Sequence, residues 1–324
     1  MPFRFDIQAP PAESAEAMWR SQIEKARHII GNTDTPFAMR VLEVRKCSKR
    51  VRALLRLIRP GMNRSDWIAE NVRWRDLART LGAVRDQTVL VETLDALEAL
   101  DERRANTRTL EACHAALLAH RSSVEGDVAG ASTVTRPAQE TLHRDTISAL
   151  DMAEAALDEV SFKTLTRETV ALAYARSFRR GRDEMVAAFR IGDDVMFHDW
   201  RKRVQHHWRQ SALLRDVWPE AMALRIETAR ALSKALGRDH DASLLVEAIE
   251  ALPDHALMAE ARADVIADAR LYQRDLRRRA RPLAYWLYAF EPDEMRTSVL
   301  MWWQAALWSA DMDLSDLFAS QRVE

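Results

Sequence analysis

The 324 residues suit one large domain or two modest ones, and 48 Lys and Arg against 49 Asp and Glu give a formal net charge of −1. Eight glycines, ten prolines and two cysteines, without period-two apolar alternation, exclude a β architecture and a disulfide framework. A leader pattern and an apolar run of about 18 residues are both lacking, which disfavours secretion and membrane spanning and points to a reducing, cytoplasmic setting.

Residues 1–12 carry three prolines and read as an extended lead-in. An amphipathic helix follows over Ala12–Gly31, with Gly31-Asn32 as its stop. Thr33 to Thr35 offer capping side chains and Pro36 an early helical position for a second helix, which Pro60-Gly61 ends. Asn63 or Ser65 caps a third helix that reaches Leu81 and carries Arg73, Arg75 and Arg79. Two further helices are predicted from Thr88 to Leu100 and from Asn106 to Ser122. Glu125–Pro137 (EGDVAGASTVTRP) cannot order itself by burial and marks the expected boundary, with one helical bundle over 1–136 and a second over 137–324. After it, helices are predicted from Pro137 to Val160, over Leu165–Ile191, from Asp254 to Arg281 and over Glu294–Ser309. The class is all-α.

The second helix contains RVLEVRKCSKRVRALLRLIR, Arg40–Arg59. Arg45, Lys49, Arg52, Arg56 and Arg59 fall at i, i+4, i+7, i+11 and i+14 and share one face. Val41, Val44, Val51, Leu54, Leu55 and Ile58 recur on another face, where a core would lie. Like charges at i and i+4 cost a few tenths of a kcal/mol per pair. Such a stripe is either simply solvated or built to meet a polyanion.

The chain then repeats itself at an offset close to 156 residues. EVRKCSKRVRALLRLIRP lies over DWRKRVQHHWRQSALLRDVWP, and each basic segment stops at a proline, Pro60 or Pro219. ARTLGAVRDQTVLVETLDAL lies over SKALGRDHDASLLVEAIEAL, both reading Leu-Gly-x-x-x-Asp before an apolar helix. In that reading a helix starts after Gly237, Asp241 caps it and His240 fixes the turn.

These four blocks, in this order, resemble the CHAD family, the conserved histidine α-helical domain. The resemblance implies two four-helix bundles related by a pseudo-twofold axis, with a basic groove or pore between them that binds inorganic polyphosphate. Fusion to a triphosphate tunnel domain is common in the family, and its Glu-x-Glu-x-Lys strand is absent here, so this resembles the stand-alone form. Carried over residue by residue, the first block supplies Arg45, Lys46, Lys49, Arg52 and Arg56, then Arg85 and Asp86. The second supplies His198, Arg201, Lys202 and His240, then Asp241. Arg73, Arg79 and Arg209 extend the expected surface. Two positions depart from the pattern: Leu42 stands where a histidine is usual, and Gln205 where a lysine is, opposite Lys49 in the repeat. His206, His207 and Arg209 lie close enough to compensate in part.

Guanidinium forks bond phosphate oxygens bidentately and lysine acts as a point charge, so aligned cations suit a chain phosphate. No catalytic role, cofactor or metal is expected. The His-Asp pairs His198-Asp199 and His240-Asp241 suggest a metal-dependent phosphohydrolase, but they are separate copies without His-x-x-x-His or Cys-pair spacing. Nucleic-acid binding is the other alternative, weakened because the first stripe carries no aromatic for base stacking. The expectation is a non-catalytic polyphosphate binder of the cytoplasm, associated with polyphosphate granules, with protein partners left open. The run Arg179-Arg180-Gly181-Arg182 and the run Arg277–Arg281 read as solvated helix ends or groove rim, and Trp286, Trp302, Trp303 and Trp308 as core or tail packing first and a partner surface second.

Overall fold

The computed structural model describes residues 3–81, 87–124, 136–310 and 312. Among them the chain forms eleven α-helices and no strand, as the all-α reading requires. The first series is α1 (Pro11–Gly31), α2 (Phe37–Ile58), a 3-10 turn at Arg59–Gly61, α3 (Arg64–Thr80), α4 (Gln87–Glu98), α5 (Thr107–Val124) and α6 (Arg136–Glu159). The second is α7 (Arg167–Ile191), α8 (Asp194–Leu213), a 3-10 turn at Arg215–Val217, α9 (Pro219–Glu250), α10 (Ala259–Leu287) and α11 (Pro292–Ala310). Corresponding elements open at Pro11 and Arg167, at Arg59 and Arg215, and at Arg136 and Pro292, each pair 156 residues apart.

Periodicity fixes which face each helix buries. On α2 the apolar positions Val41, Val44, Val51, Leu54, Leu55 and Ile58 are all buried, so the stripe is left at the rim. Capping is less regular: Pro36 itself is the residue before α2, with no side chain bonded to the first turn. The expected helix start after Gly237 does not occur, because α9 runs unbroken from Pro219 to Glu250. Leu236, Ala242 and Leu245 on either side are buried where α9 packs on α8 and α10, and that packing outweighs the weak helix propensity of one glycine. Asp241 and His240 therefore both lie mid-helix. Pro219 opens α9 rather than ending α8, where its missing N–H is harmless. α10 likewise starts later than predicted and runs on through Pro282 to Leu287.

The large core gathers α1, α2, α3 and α6 with α7, α8, α11, the first half of α9 and the end of α10 around Trp19, Trp74, Trp200 and Trp303. A second core joins α4 and α5 to the far halves of α9 and α10 through Leu94, Leu97, Cys113, Leu245, Ile249 and Val265. Packing thus crosses the expected division at 136/137, since α4 and α5 rest on α9 and α10. Within each series the same helices pair: α1 with α2 and α7 with α8, α2 with α3 and α8 with α9, α1 with α6 and α7 with α11. The series meet where α2 packs on α7 and α8.

The start of α8 is held by a polar clasp. Gly192 takes the left-handed φ of +83° that ends α7, and Asp193 accepts the Met196 N–H at 2.7 Å as the cap of α8. Asp194 accepts from Ser243 Oγ and Arg270 Nη1, both at 2.6 Å, and from Arg277. Arg277 also bonds the buried Asp239 at 2.7 Å, which ties α8, α9 and α10 together.

Candidate functional site

The basic residues of α2 and α8 open onto two clefts between the two helical series. The first, of about 1020 Å³, takes Lys25 from α1, Lys46, Lys49 and Arg50 from α2, Arg209 from α8 and Arg230 from α9. Among the described residues, Glu24 is its one acidic lining residue. Trp208 sits between two of these cations, with the Arg209 and Arg230 guanidinium carbons 4.6 and 5.2 Å from its ring centroid. The second cleft, of about 540 Å³, is lined by Arg56, Arg59, Arg176, Arg180, Arg203 and His206, with no carboxylate in its wall among the described residues. Arg59 stacks on Trp67 there at 4.5 Å.

Between the clefts the cations crowd one another. Burial pulls Arg56 down to about 9, with Arg52, Arg203 and Arg209 adding to the effect. Arg209 falls to about 10 by burial and by the charges of Arg50 and Arg201. His206 is pulled to about 2, chiefly by burial and then by Arg56, Arg209, Arg203 and Arg52, so it is neutral. Arg203 has Glu184 at 2.6 Å, whereas Arg56 and Arg209 donate to carbonyls of their own helices, Arg52 O at 2.6 Å and Gln205 O at 2.8 Å. The Nε atoms of Arg52 and Arg201 are buried without a hydrogen-bond partner among the described residues. Concentrated positive charge of this kind, with donors unused, is costly for the protein alone and suited to an incoming polyanion.

A further group lies along α8 and α9. The His198 and His240 rings stack with centroids 4.0 Å apart. Burial, then Lys202 and Arg201, holds His198 below its usual range. Burial, then His198, Arg201 and Lys202, brings His240 to about 4. Both imidazoles are therefore neutral near pH 7.

The predicted residues divide accordingly. Lys46, Lys49 and Arg209 meet in the first cleft and Arg56 lines the second, with Arg52 beside the cations between them. Lys46 and Lys202 each pair with an acid three residues earlier, Glu43 at 2.5 Å and Asp199 at 2.7 Å, a repeat feature 156 residues apart. Arg45 is half-buried on α2, outside the lining of both clefts. Arg73 instead pairs with the buried Glu70 at a small cavity between α3 and α6, and Arg79 is exposed at the end of α3. Arg85 and Asp86 lie outside the described residues. Of the departures, Leu42 and Gln205 are both half-buried.

Lys25, Arg50, Arg230, Arg176 and Arg203 escaped the sequence reading. Arg176 and Arg180 carried a signal, one helical turn apart on α7, the counterpart of the helix that bears Lys25. Their neighbours behave differently: Arg179 and Arg182 pair with Asp293 and Glu291 at the start of α11.

A model of the CHAD domain matches residues 32–250, and the chain belongs to that family. Among solved structures, PptA from Streptomyces chartreusis superposes with a TM-score of 0.57 at 16% identity, over 87% of this chain and 100% of that one. At that identity the likeness concerns the fold. No curated protein matches the sequence. Among the described residues, no helix is long and apolar enough to cross a membrane.

Proposed function

We propose that this protein binds inorganic polyphosphate without hydrolysing it, through the cationic surface that α2 and α8 present between the two helical series. The observation that carries this reading is the half-buried run Arg52, Arg56, His206 and Arg209, where burial first and neighbouring cations second lower the pKa of each. Polyphosphate carries roughly one charge per unit on a flexible chain, so several aligned cations engage it at once and release its counterions. Membership of the CHAD family supports the same ligand. A cytoplasmic location at polyphosphate granules follows from that ligand and belongs to the proposal.

A metal-dependent phosphohydrolase is the weaker reading. A divalent cation at the His198–His240 pair would meet Arg201 and Lys202, whose charges already depress both imidazoles. Single-stranded nucleic acid has one observation in its favour, since Trp67 and Trp208 line the clefts beside arginines. The test is competition. Labelled polyphosphate bound to the protein is expected to resist displacement by single-stranded DNA or RNA at equal phosphate concentration, and no orthophosphate is expected on adding Mg²⁺ or Mn²⁺. Ready displacement would favour nucleic acid, and metal-dependent phosphate release would make the protein an enzyme.

A further inference from the structure

The two clefts are counterparts of one another. The first is walled by α1, α2, α8 and the first half of α9, the second by α7, α8, α2 and α3. Replacing each wall helix by its counterpart in the other series turns one set into the other. Residues follow the helices: Ser21 and Ser177, Arg50 and His206, and Ala212 and Arg56 each stand 156 positions apart and line opposite clefts.

Among the described residues the clefts nevertheless share no lining residue. On α8 the first is faced by Trp208, Arg209 and Ala212, and the second by Arg203, His206 and Gln210. At helical spacing these triplets occupy different faces of the same helix. On α2 the first cleft ends at Arg50 and the second begins at Arg56. The walls also differ in chemistry. Among the described residues, the first mixes lysine point charges with arginine and includes Glu24, while the second offers five arginine forks and no acid.

We infer that the protein has two separate polyphosphate seats, one on each face of α8. The inference rests on the polyphosphate reading above and adds to it a stoichiometry and a chain-length preference. A short chain occupies the seats independently, two per protein and with unequal affinity, the all-arginine seat being the tighter. A long chain reaches both seats at once, so that one chain binds per protein. Its affinity exceeds that of either seat by about a hundred-fold, because the second contact is intramolecular.

Calorimetry and native mass spectrometry with tripolyphosphate and with long-chain polyphosphate test this. Lys49→Ala with Arg230→Ala weakens the first seat, and Arg176→Ala with Arg180→Ala the second; all four side chains are exposed, so the fold is kept. The wild type is expected to bind two tripolyphosphates, each double variant one at wild-type affinity with the other weakened at least about ten-fold, and the quadruple variant both only weakly. Either double variant is expected to lose the long-chain advantage. One tripolyphosphate per wild-type protein, or loss of all tripolyphosphate binding in a single double variant, would mean one continuous site and overturn the inference while leaving polyphosphate binding intact. Failure of the wild type to bind either ligand would take down both.

Discussion

Burial draws the Arg56 guanidinium down to about 9, and Arg52, Arg203 and Arg209 press the same way. Arg56→Met keeps the apolar stem and removes the charge. The variant is expected to melt higher, by on the order of 1 kcal/mol, while binding polyphosphate more weakly. Thermal denaturation and a binding titration on the same sample check both, and a lower melting point would mean that Arg56 is stabilised by its surroundings. The histidines add a pH dependence whose sign is fixed. His206 and His240 have folded-state pKa values of about 2 and about 4, below the ordinary 6.5, so protonation favours the unfolded chain. Their contribution is fully present above about pH 6.5 and is lost as pH falls, through about 4 for His240 and toward about 2 for His206. A bound polyanion makes the same protonation favourable, so the rise in melting temperature given by polyphosphate should grow from pH 7.5 to 5.5. A rise that stays flat would mean that the histidines do not sense the ligand. His198 is held below its ordinary range for the same reasons, burial first and then Lys202 and Arg201. At this scale the stripe on α2 was legible because it is periodic within one helix. The clefts were not, because Arg176, Arg180 and Arg230 come from α7 and α9 and only packing brings them to α2.

Helix ends show where local rules stop deciding. Pro60-Gly61 and Gly31-Asn32 end their helices as read, while Gly237 is carried inside α9 by the burial of Leu236 and Ala242 around it. Gly181 sits in α7 for a different reason: a Cβ there would overlap the Tyr288 hydroxyl oxygen. Tyr288 is itself buried and stacked on Phe178, with ring centroids 5.3 Å apart, so it has nowhere to retreat. Gly181→Ala gains roughly 1 kcal/mol of helix propensity, and the overpacking costs about 1–3 kcal/mol. A net loss of stability is expected by denaturant melting, and a gain would show that the ring shifts freely. The clasp at the head of α8 predicts a larger effect. Arg277→Met leaves the buried Asp239 without its guanidinium and is expected to cost about 3–5 kcal/mol. A loss under about 1 kcal/mol would mean that Arg270 takes over.

Across the whole molecule, the repeat readable in the sequence reappears as helices opening 156 residues apart and as the same pairings within each series. The placement of α4 and α5 on α9 and α10 was not legible, because their apolar faces are satisfied equally by any bundle of four and nothing local names the partner. The Trp-rich end likewise divides only in three dimensions. Trp303 is buried and bonds Ile7 O at 3.2 Å, whereas Trp286 and Trp308 are exposed.

The central claim is that cations from both series act together on one polyanion. The dependence of affinity on salt measures this most directly, taken with a long polyphosphate chain at fixed pH. Each phosphate contact contributes about −0.7 to the slope of log affinity against log salt for a single-stranded polyanion. Contacts from both clefts should give a slope of about −4 or steeper, falling by about one to two units when Arg56 and Arg209 are both replaced. A slope of about −1, or one unchanged in that variant, would contradict the account, leaving at most a single incidental contact on a solvated helix face.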